Sequence, residues 1–266
     1  MNDYASLLSQ AVPIAVEAGE AVMEVYGRDF STTEKDDKSP LTEADMASHH
    51  KIIAGLEKID PSIPILSEES KAIPYEDRAG WTRFWLVDPL DGTKEFIKRN
   101  GEFTVNIALI ENGEAVLGVV HAPVLGITYA AARGVEAYKE VDGTKSPIHV
   151  ADFTGKDLKV VASRSHAGPE TEALIEDLRS KVGDVELVSK GSSLKLCMVA
   201  DGEAHLYPRL GPTMEWDVAA AHAVVEGAGG TVTDTKGEPF RYNKENLLNP
   251  FFIVSGTGDI PLGLPL

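Results

Sequence analysis

Asp88 and Asp91 stand at the end of an apolar run, and no other stretch of this 266-residue sequence holds as much potential chemistry. In Trp85-Leu86-Val87-Asp88-Pro89-Leu90-Asp91-Gly92-Thr93-Lys94-Glu95-Phe96, the segment Phe84–Val87 reads as a buried strand that ends abruptly in a turn. Pro89 fixes its own φ and disfavours helix at Asp88, and Gly92 permits a tight turn. Two carboxylates are thereby presented at a strand end, with the Thr93 hydroxyl one step past the glycine and the Leu90 carbonyl between them. Hard divalent cations take oxygen ligands, and Mg²⁺ typically uses one or two carboxylates together with substrate phosphate oxygens. The competing reading is an Asx-type turn with solvated aspartates. This stretch alone does not separate the two.

Other element ends carry carboxylates too. Ser39-Pro40-Leu41-Thr42-Glu43-Ala44-Asp45 opens a helix running to about Lys58, with Thr42 as its cap and Asp45 three residues later, as in a capping box. The ordinary role of Asp45 there is to interact with the helix dipole. Ile63-Pro64-Ile65-Leu66 reads as a short strand ending in Ser67-Glu68-Glu69-Ser70, although tandem glutamates by themselves are ordinarily a solvated loop. Trp216-Asp217 starts a helix over Glu215–Gly227. Asp217 suits the dipole of that helix or leans toward a cleft between two halves of the chain. Asp45, Glu68, Asp88, Asp91 and Asp217 together outline a cage for Mg²⁺, to be weighed against separate surface features. His49 and His50 read as surface or packed histidines, and Cys197, among Leu196, Met198 and Val199, as a buried apolar side chain.

The elements that must position these groups follow from periodicity. Apolar residues at helical spacing over residues 3–26 predict one long amphipathic helix, with Pro13 inside it and Gly27 as its stop. Phe30–Ser39 is polar and charged and reads as a loop or hairpin. Phe103–Ile110, Ala115–His121 and Gly126–Ala132 are β-rich, with Asn112-Gly113 as a hairpin turn. Val135–Tyr138 and Ile148–Val150 add shorter strands. Residues 1–150 therefore read as two helices on an antiparallel-rich sheet.

From about residue 151 to 266 the pattern alternates. Strands are predicted at Leu158–Ala162, Val185–Val188, Glu203–Tyr207, Thr231–Thr233 and Phe251–Val254. Helices are predicted at Pro169–Lys181, Ser192–Ala200 and Glu215–Gly227. This is an α/β (α+β) chain with a subdomain boundary near residue 150, the second half contributing Asp217. It has no internal repeats.

Composition narrows the function. A net charge of −17 argues against a nucleic-acid polymer as partner, because phosphate binding needs a basic footprint. A small phosphorylated ligand remains open if metal ions supply positive charge locally. The single cysteine rules out an internal disulfide and suits a cytoplasmic location. No apolar run is long enough for a transmembrane segment, and the N-terminus lacks the basic region of a signal peptide.

Glu68-Glu69-Ser70, then Trp85 to Thr93, then Trp216-Asp217-Val218-Ala219-Ala220 followed by Gly229-Gly230, resembles the inositol monophosphatase superfamily of Mg²⁺-dependent, lithium-sensitive phosphatases, in order and coarse spacing along the whole chain. Asp88 to Phe96, Gly191-Ser192-Ser193-Leu194-Lys195 and Leu206-Tyr207-Pro208-Arg209 resemble its 3′(2′),5′-bisphosphate nucleotidase branch. Ser67 stands where a glycine usually precedes the glutamates, and Ala221-His222 where the superfamily often has a glycine.

The resemblance implies a layered α/β/α/β/α sandwich. It implies two or three Mg²⁺ ions held by Glu68, Asp88, the Leu90 carbonyl, Asp91 and Asp217. Asp45 and Thr93, hydrogen-bonded to each other, and Glu68 would orient and activate the attacking water. Glu68, Leu90, Asp91, Gly92, Thr93 and Asp217 would contact the substrate, with its phosphate on Gly92 and Thr93. One ion near Glu68, Asp88 and Leu90 would generate the nucleophile, and another near Asp88, Asp91 and Asp217 would stabilise the leaving oxygen.

The implied activity removes the 3′-phosphate of adenosine 3′,5′-bisphosphate, with 3′-phosphoadenylyl sulfate as a further substrate and a place in sulfur assimilation. Lys94, Lys195 and Arg209 are candidates for substrate phosphates, with solvated charges or ion pairs as the ordinary reading. Inositol-1-phosphatase and fructose-1,6-bisphosphatase-like activities of the same superfamily compete with this reading. A non-catalytic divalent-metal-binding module is the alternative from another class. Some relatives sit peripherally on the inner face of a membrane, but no basic amphipathic helix supports that here.

Overall fold

The structure is a computed structural model describing residues 4–28, 40–162 and 168–263. The loop expected over Phe30–Ser39 lies outside the described residues. Two long helices come first, α1 (Tyr4–Tyr26) and α2 (Pro40–Ile59). Leu8, Ala11, Ala15, Ala18 and Val22 are buried along α1, the stripe a helix must cover against a partner. α2 begins at Pro40, where a fixed φ and a missing N–H suit the first helical position. Thr42 therefore lies inside α2 and is not its cap, which corrects the sequence expectation.

A seven-stranded sheet follows in sequence order: β1 (Ile65–Ser67), β2 (Arg83–Asp91), β3 (Thr104–Glu111), β4 (Glu114–Ala122), β5 (Ile127–Ala132), β6 (Val135–Val141) and β7 (Thr144–Pro147). β1 is parallel to β2 and the remaining neighbours are antiparallel. A single turn, α3 (Tyr75–Arg78), precedes β2, and the short α4 (Thr93–Ile97) follows it. The Asn112-Gly113 hairpin forms as expected, both residues at positive φ. The strand expected at Ile148–Val150 does not form. The Asp142-Gly143 turn, also at positive φ, instead folds Thr144–Pro147 back on β6, as such dipeptides do.

The central strands are buried on both faces, and their alternation sorts two cores. Phe84 and Leu86 of β2 and Ala108 and Ile110 of β3 face one core. Trp85, Val87, Ile107 and Leu109 face the other, against α1 and α2. Fully burying each Phe, Leu, Ile or Val side chain among them contributes roughly 1.5–3 kcal/mol.

The remaining elements are β8 (Leu158–Val161), α5 (Pro169–Val182), β9 (Val185–Val188), α6 (Leu194–Ala200), β10 (Leu206–Arg209), α7 (Glu215–Gly227), β11 (Thr231–Asp234) and β12 (Phe252–Ser255). Their strands form a second sheet in the order β11-β12-β10-β8-β9. α6 starts two residues later than expected, and β10 starts at Leu206, three residues after the expected Glu203.

Leu174 and Leu178 of α5 cover one face of the second sheet. Its other face meets α6 and α7, where Val199, Val218 and Val224 share a core with Leu86 of the first sheet and Tyr207 and Phe252 of the second. The layers run α1–α2, first sheet, α6–α7, second sheet, α5, the α/β/α/β/α sandwich that the resemblance implied.

Gly118 lets α7 settle onto β4: a Cβ there would lie 2.0 Å from the Ala220 carbonyl oxygen. Cys197 is buried in α6, as expected. No helix among the described residues is long and apolar enough to cross a membrane.

Candidate active site

Backbone pairing assembles the first corner of the site. β1 and β2 run in register from Ile65↔Trp85 to Ser67↔Val87, and the Glu68 N–H then donates to the Val87 carbonyl at 3.2 Å. Glu68 therefore emerges beside Asp88. β2 does not end at Val87, as the sequence reading had it. It continues to Asp91, with an irregularity between Asp88 and Asp91 that accommodates Pro89, a proline position that strands tolerate.

Asp88 Oδ1 accepts the Leu90 N–H at 3.0 Å, the local bond of an Asx turn. Its side chain is nevertheless only 1% exposed, so the solvated-turn reading does not hold. Gly92, at φ 97°, turns the chain into α4; a side chain would be strained there, and its Cβ would lie 3.2 Å from the Phe103 Cα.

α7 brings the third group. Seated over Gly118, it starts with Asp217 in its first turn, where Asp217 Oδ2 accepts the Met214 N–H at 2.9 Å. Glu215, fully buried two residues earlier, accepts the Asn243 N–H at 2.7 Å and the Lys244 Nζ at 2.6 Å. Asn249 Nδ2 donates to the Met214 carbonyl at 2.7 Å. The segment 243–249 thus anchors the N-terminus of α7. Ligand oxygens of Glu68, Asp88 and Asp217 all lie within 4.8 Å of one another.

Asp91 stands beside this triad. Its Oδ2 accepts the Ser192 hydroxyl at 2.5 Å and the Ser193 N–H at 2.6 Å. Thr104 and Asn106 of β3 extend that buried network through the two serine hydroxyls.

The electrostatics are those of negative charges held close without a counter-ion. Burial, then Glu69 and Glu68, raise the Asp45 pKa to about 8. Desolvation at the crowded strand end, with Glu69 and Asp91, raises Glu68 to about 7 even though the residue itself is exposed. Burial and Asp91 likewise raise Asp217 to about 7. Asp88, beside four other carboxylates, is pushed well above the usual carboxylate range, chiefly by burial. Shared protons or a cation resolve such a cluster. An all-oxygen donor set with no thiolate or imidazole in the triad fits a hard divalent cation.

A cleft of about 350 Å³ opens beside the triad, lined by Asp91, Gly92 and Asp217, by the cations Lys94, Lys98, Lys190, Lys195 and Arg209, and by Glu95 and Glu102. Lys195 is not the solvated charge of the ordinary sequence reading. It faces the cleft from α6, and burial lowers its pKa against the opposing effect of Asp91. Thr93 is exposed at the start of α4. The hydrogen bond expected between Thr93 and Asp45 is not formed among the described residues.

Ser192 and Ser193 entered the sequence reading only within the motif Gly191–Lys195, with no role of their own, and Glu215 received none. Serines ahead of an apolar helix look like ordinary caps, and a glutamate beside a tryptophan carries no signal of complete burial.

The inositol monophosphatase family matches this chain over residues 3–251. The 3′(2′),5′-bisphosphate nucleotidase CysQ of Escherichia coli K12 is 50% identical over 252 residues, covering 94% of this chain and 99% of the relative. The CysQ nucleotidase of Haemophilus influenzae is 34% identical over 259 residues, covering 96% of this chain and 94% of the relative. Among solved structures, CysQ from Bacteroides thetaiotaomicron superposes with a TM-score of 0.86 at 47% identity, covering 94% of this chain and 97% of that one. An inositol monophosphatase from Zymomonas mobilis superposes with a TM-score of 0.78 at 25% identity, covering 97% and 95%.

Proposed function

Because the chain belongs to the inositol monophosphatase family, we propose that it is a Mg²⁺-dependent 3′(2′),5′-bisphosphate nucleotidase that hydrolyses adenosine 3′,5′-bisphosphate to AMP and phosphate. The observation that carries this reading is the convergence of Glu68, Asp88 and Asp217 beside a cleft rimmed with cations. Glu68, Asp88, Asp91, Asp217 and the Leu90 carbonyl would hold the metal ions. When bound, these ions supply Lewis acidity to the phosphate and lower the pKa of a coordinated water.

The chain's own groups do the positioning, which is most of what phosphoryl transfer requires. The Asp45 carboxylate accepts the proton that the attacking water gives up, and the Thr93 hydroxyl sets the direction of that water. Gly92 and Thr93 receive the 3′-phosphate as the chain turns into α4. Lys195 and Arg209 offer counter-charge to the second phosphate, which distinguishes a bisphosphate nucleotide from a monophosphate. Water adds to phosphorus, the bond to the 3′-oxygen breaks, that oxygen takes up a proton from solvent and leaves as a hydroxyl, and the proton held by Asp45 returns to solvent. A cytoplasmic setting belongs to the same reading, supported by the lone, buried cysteine.

The test is phosphate release from adenosine 3′,5′-bisphosphate, inositol 1-phosphate and fructose 1,6-bisphosphate at matched concentrations with Mg²⁺. The nucleotide should have the highest kcat/KM by a wide margin. Preference for either sugar phosphate would reassign the substrate within the family, and no release from any of the three would overturn the enzymatic reading.

A further inference from the structure

Asp45, Ser48 and His49 lie on one face of α2, three and four residues apart. The latter two side chains bond to the two strand ends that carry the triad's first corner. Ser48, fully buried, donates its hydroxyl to the Pro89 carbonyl at 2.7 Å. The Pro89 carbonyl belongs to the Pro89–Leu90 peptide unit, so this bond fixes the plane through which the chain passes from the Asp88-Pro89 turn into Leu90. His49 Nδ1 is 3.0 Å from the hydroxyl of Ser67, which is 3% exposed and immediately precedes Glu68.

The geometry points to Ser48 and the His49–Ser67 pair as positioning residues that clamp the ends of β1 and β2 to α2, setting the spacing of Glu68, Asp88 and the Leu90 carbonyl relative to Asp45. The inference rests on the metal-binding reading of the site.

The physical need for such a clamp follows from charge. Five carboxylates crowd together, and without a counter-ion each repels its neighbours. Strand pairing supports Glu68 through one backbone bond to Val87, and the path from Asp88 to Asp91 is irregular. α2 is long and packed through Ile52 and Leu56, so it can hold both ends in one frame. Partners behind metal ligands commonly change metal affinity by about 10–100-fold when removed.

The test compares wild type with Ser48→Ala, His49→Ala, Ser67→Ala and His49→Asn by Mg²⁺ titration calorimetry and by thermal unfolding in chelator and in saturating Mg²⁺. The three alanine variants should bind Mg²⁺ about tenfold more weakly and lose much of the Mg²⁺-induced rise in Tm, with a smaller change in chelator. His49→Asn, whose amide can occupy the Nδ1 position, should recover most of the affinity. Combining His49→Ala with Ser67→Ala should cost little more than either alone, because both break one bond.

Wild-type Mg²⁺ affinity in the alanine variants, or an equal fall in Tm with and without Mg²⁺, would overturn the inference. If Ser48→Ala does not fold, the His49 and Ser67 variants decide. A wild-type protein whose Tm ignores Mg²⁺ would contradict the metal reading itself, a result distinct from failure of the clamp.

Discussion

The Ser193 N–H donates to Asp91 Oδ2 at 2.6 Å, and this bond joins the strand end of the first sheet to the helix that leads into the second. One carboxylate oxygen is thereby fixed by the protein, and Asp91 lines the cleft beside the triad. In Asp91→Asn the amide oxygen can still accept from Ser193, while the amide nitrogen cannot ligate a cation. Turnover of adenosine 3′,5′-bisphosphate should fall on the order of 100-fold or more, with the circular-dichroism spectrum and Tm in chelator close to wild type. Near-normal turnover would remove Asp91 from the site.

The pH dependence of the metal-free protein has a definite sign. Asp45, at about 8, and Glu68 and Asp217, at about 7, titrate above the ordinary carboxylate value in the folded chain. Between about pH 4 and pH 8 these carboxylates therefore hold more protons in the folded state than in the unfolded state, outnumbering the one proton that buried His121 gives up on folding, and stability falls as pH rises through that window. Cation binding displaces those protons. Tm in chelator should drop from pH 5 to pH 8, and the rise in Tm on adding Mg²⁺ should widen over the same range. A Mg²⁺ increment that does not vary with pH would contradict this.

Close approach of α7 to β4 predicts the outcome of Gly118→Val. Even its Cβ would overlap the Ala220 carbonyl oxygen, which is backbone and cannot swing aside. Overpacking of this kind typically costs about 1–3 kcal/mol, and the displaced helix carries Asp217. Chemical denaturation should show the loss, and Mg²⁺ affinity should fall with it. An unchanged Mg²⁺ affinity would mean that Asp217 does not depend on the seating of α7.

Glu215→Ala removes a fully buried carboxylate that accepts two backbone N–H groups and the Lys244 ammonium. Breaking a buried pair costs about 3–5 kcal/mol, and partial exposure of Lys244 places this variant at the low end. Hydrogen exchange should become faster over residues 243–249 before it does elsewhere. Uniform protection in the variant would show that the anchor is dispensable.

The layered fold was legible because its signals are periodic. The stripe of α1, the continuous apolar strands and the alternation after residue 150 each demand a covering layer. That Glu68, Asp88, Asp91 and Asp217 stand at element ends was legible from turn chemistry and helix starts, while their reading as one ligand set came from the family resemblance. Contacts between distant segments were not. Nothing local shows that Ser193 meets Asp91, that Lys244 meets Glu215, or that Lys195 faces a cleft from an otherwise apolar helix. Thr42 imitated a cap because a Thr–Asp pair has the right spacing, while Pro40 had already started the helix. The β7 strand was missed although Asp142-Gly143 marks a hairpin, because Thr144–Pro147 is fully exposed and lacks apolar alternation.

The most direct test of the central claim is a crystal structure grown with Mn²⁺, AMP and phosphate, read by anomalous scattering. Anomalous density should lie among Glu68, Asp88 and Asp217, with phosphate oxygens within bonding distance of it and the nucleotide in the adjoining cleft. Metal density elsewhere, or a phosphate bound far from those three carboxylates, would contradict it.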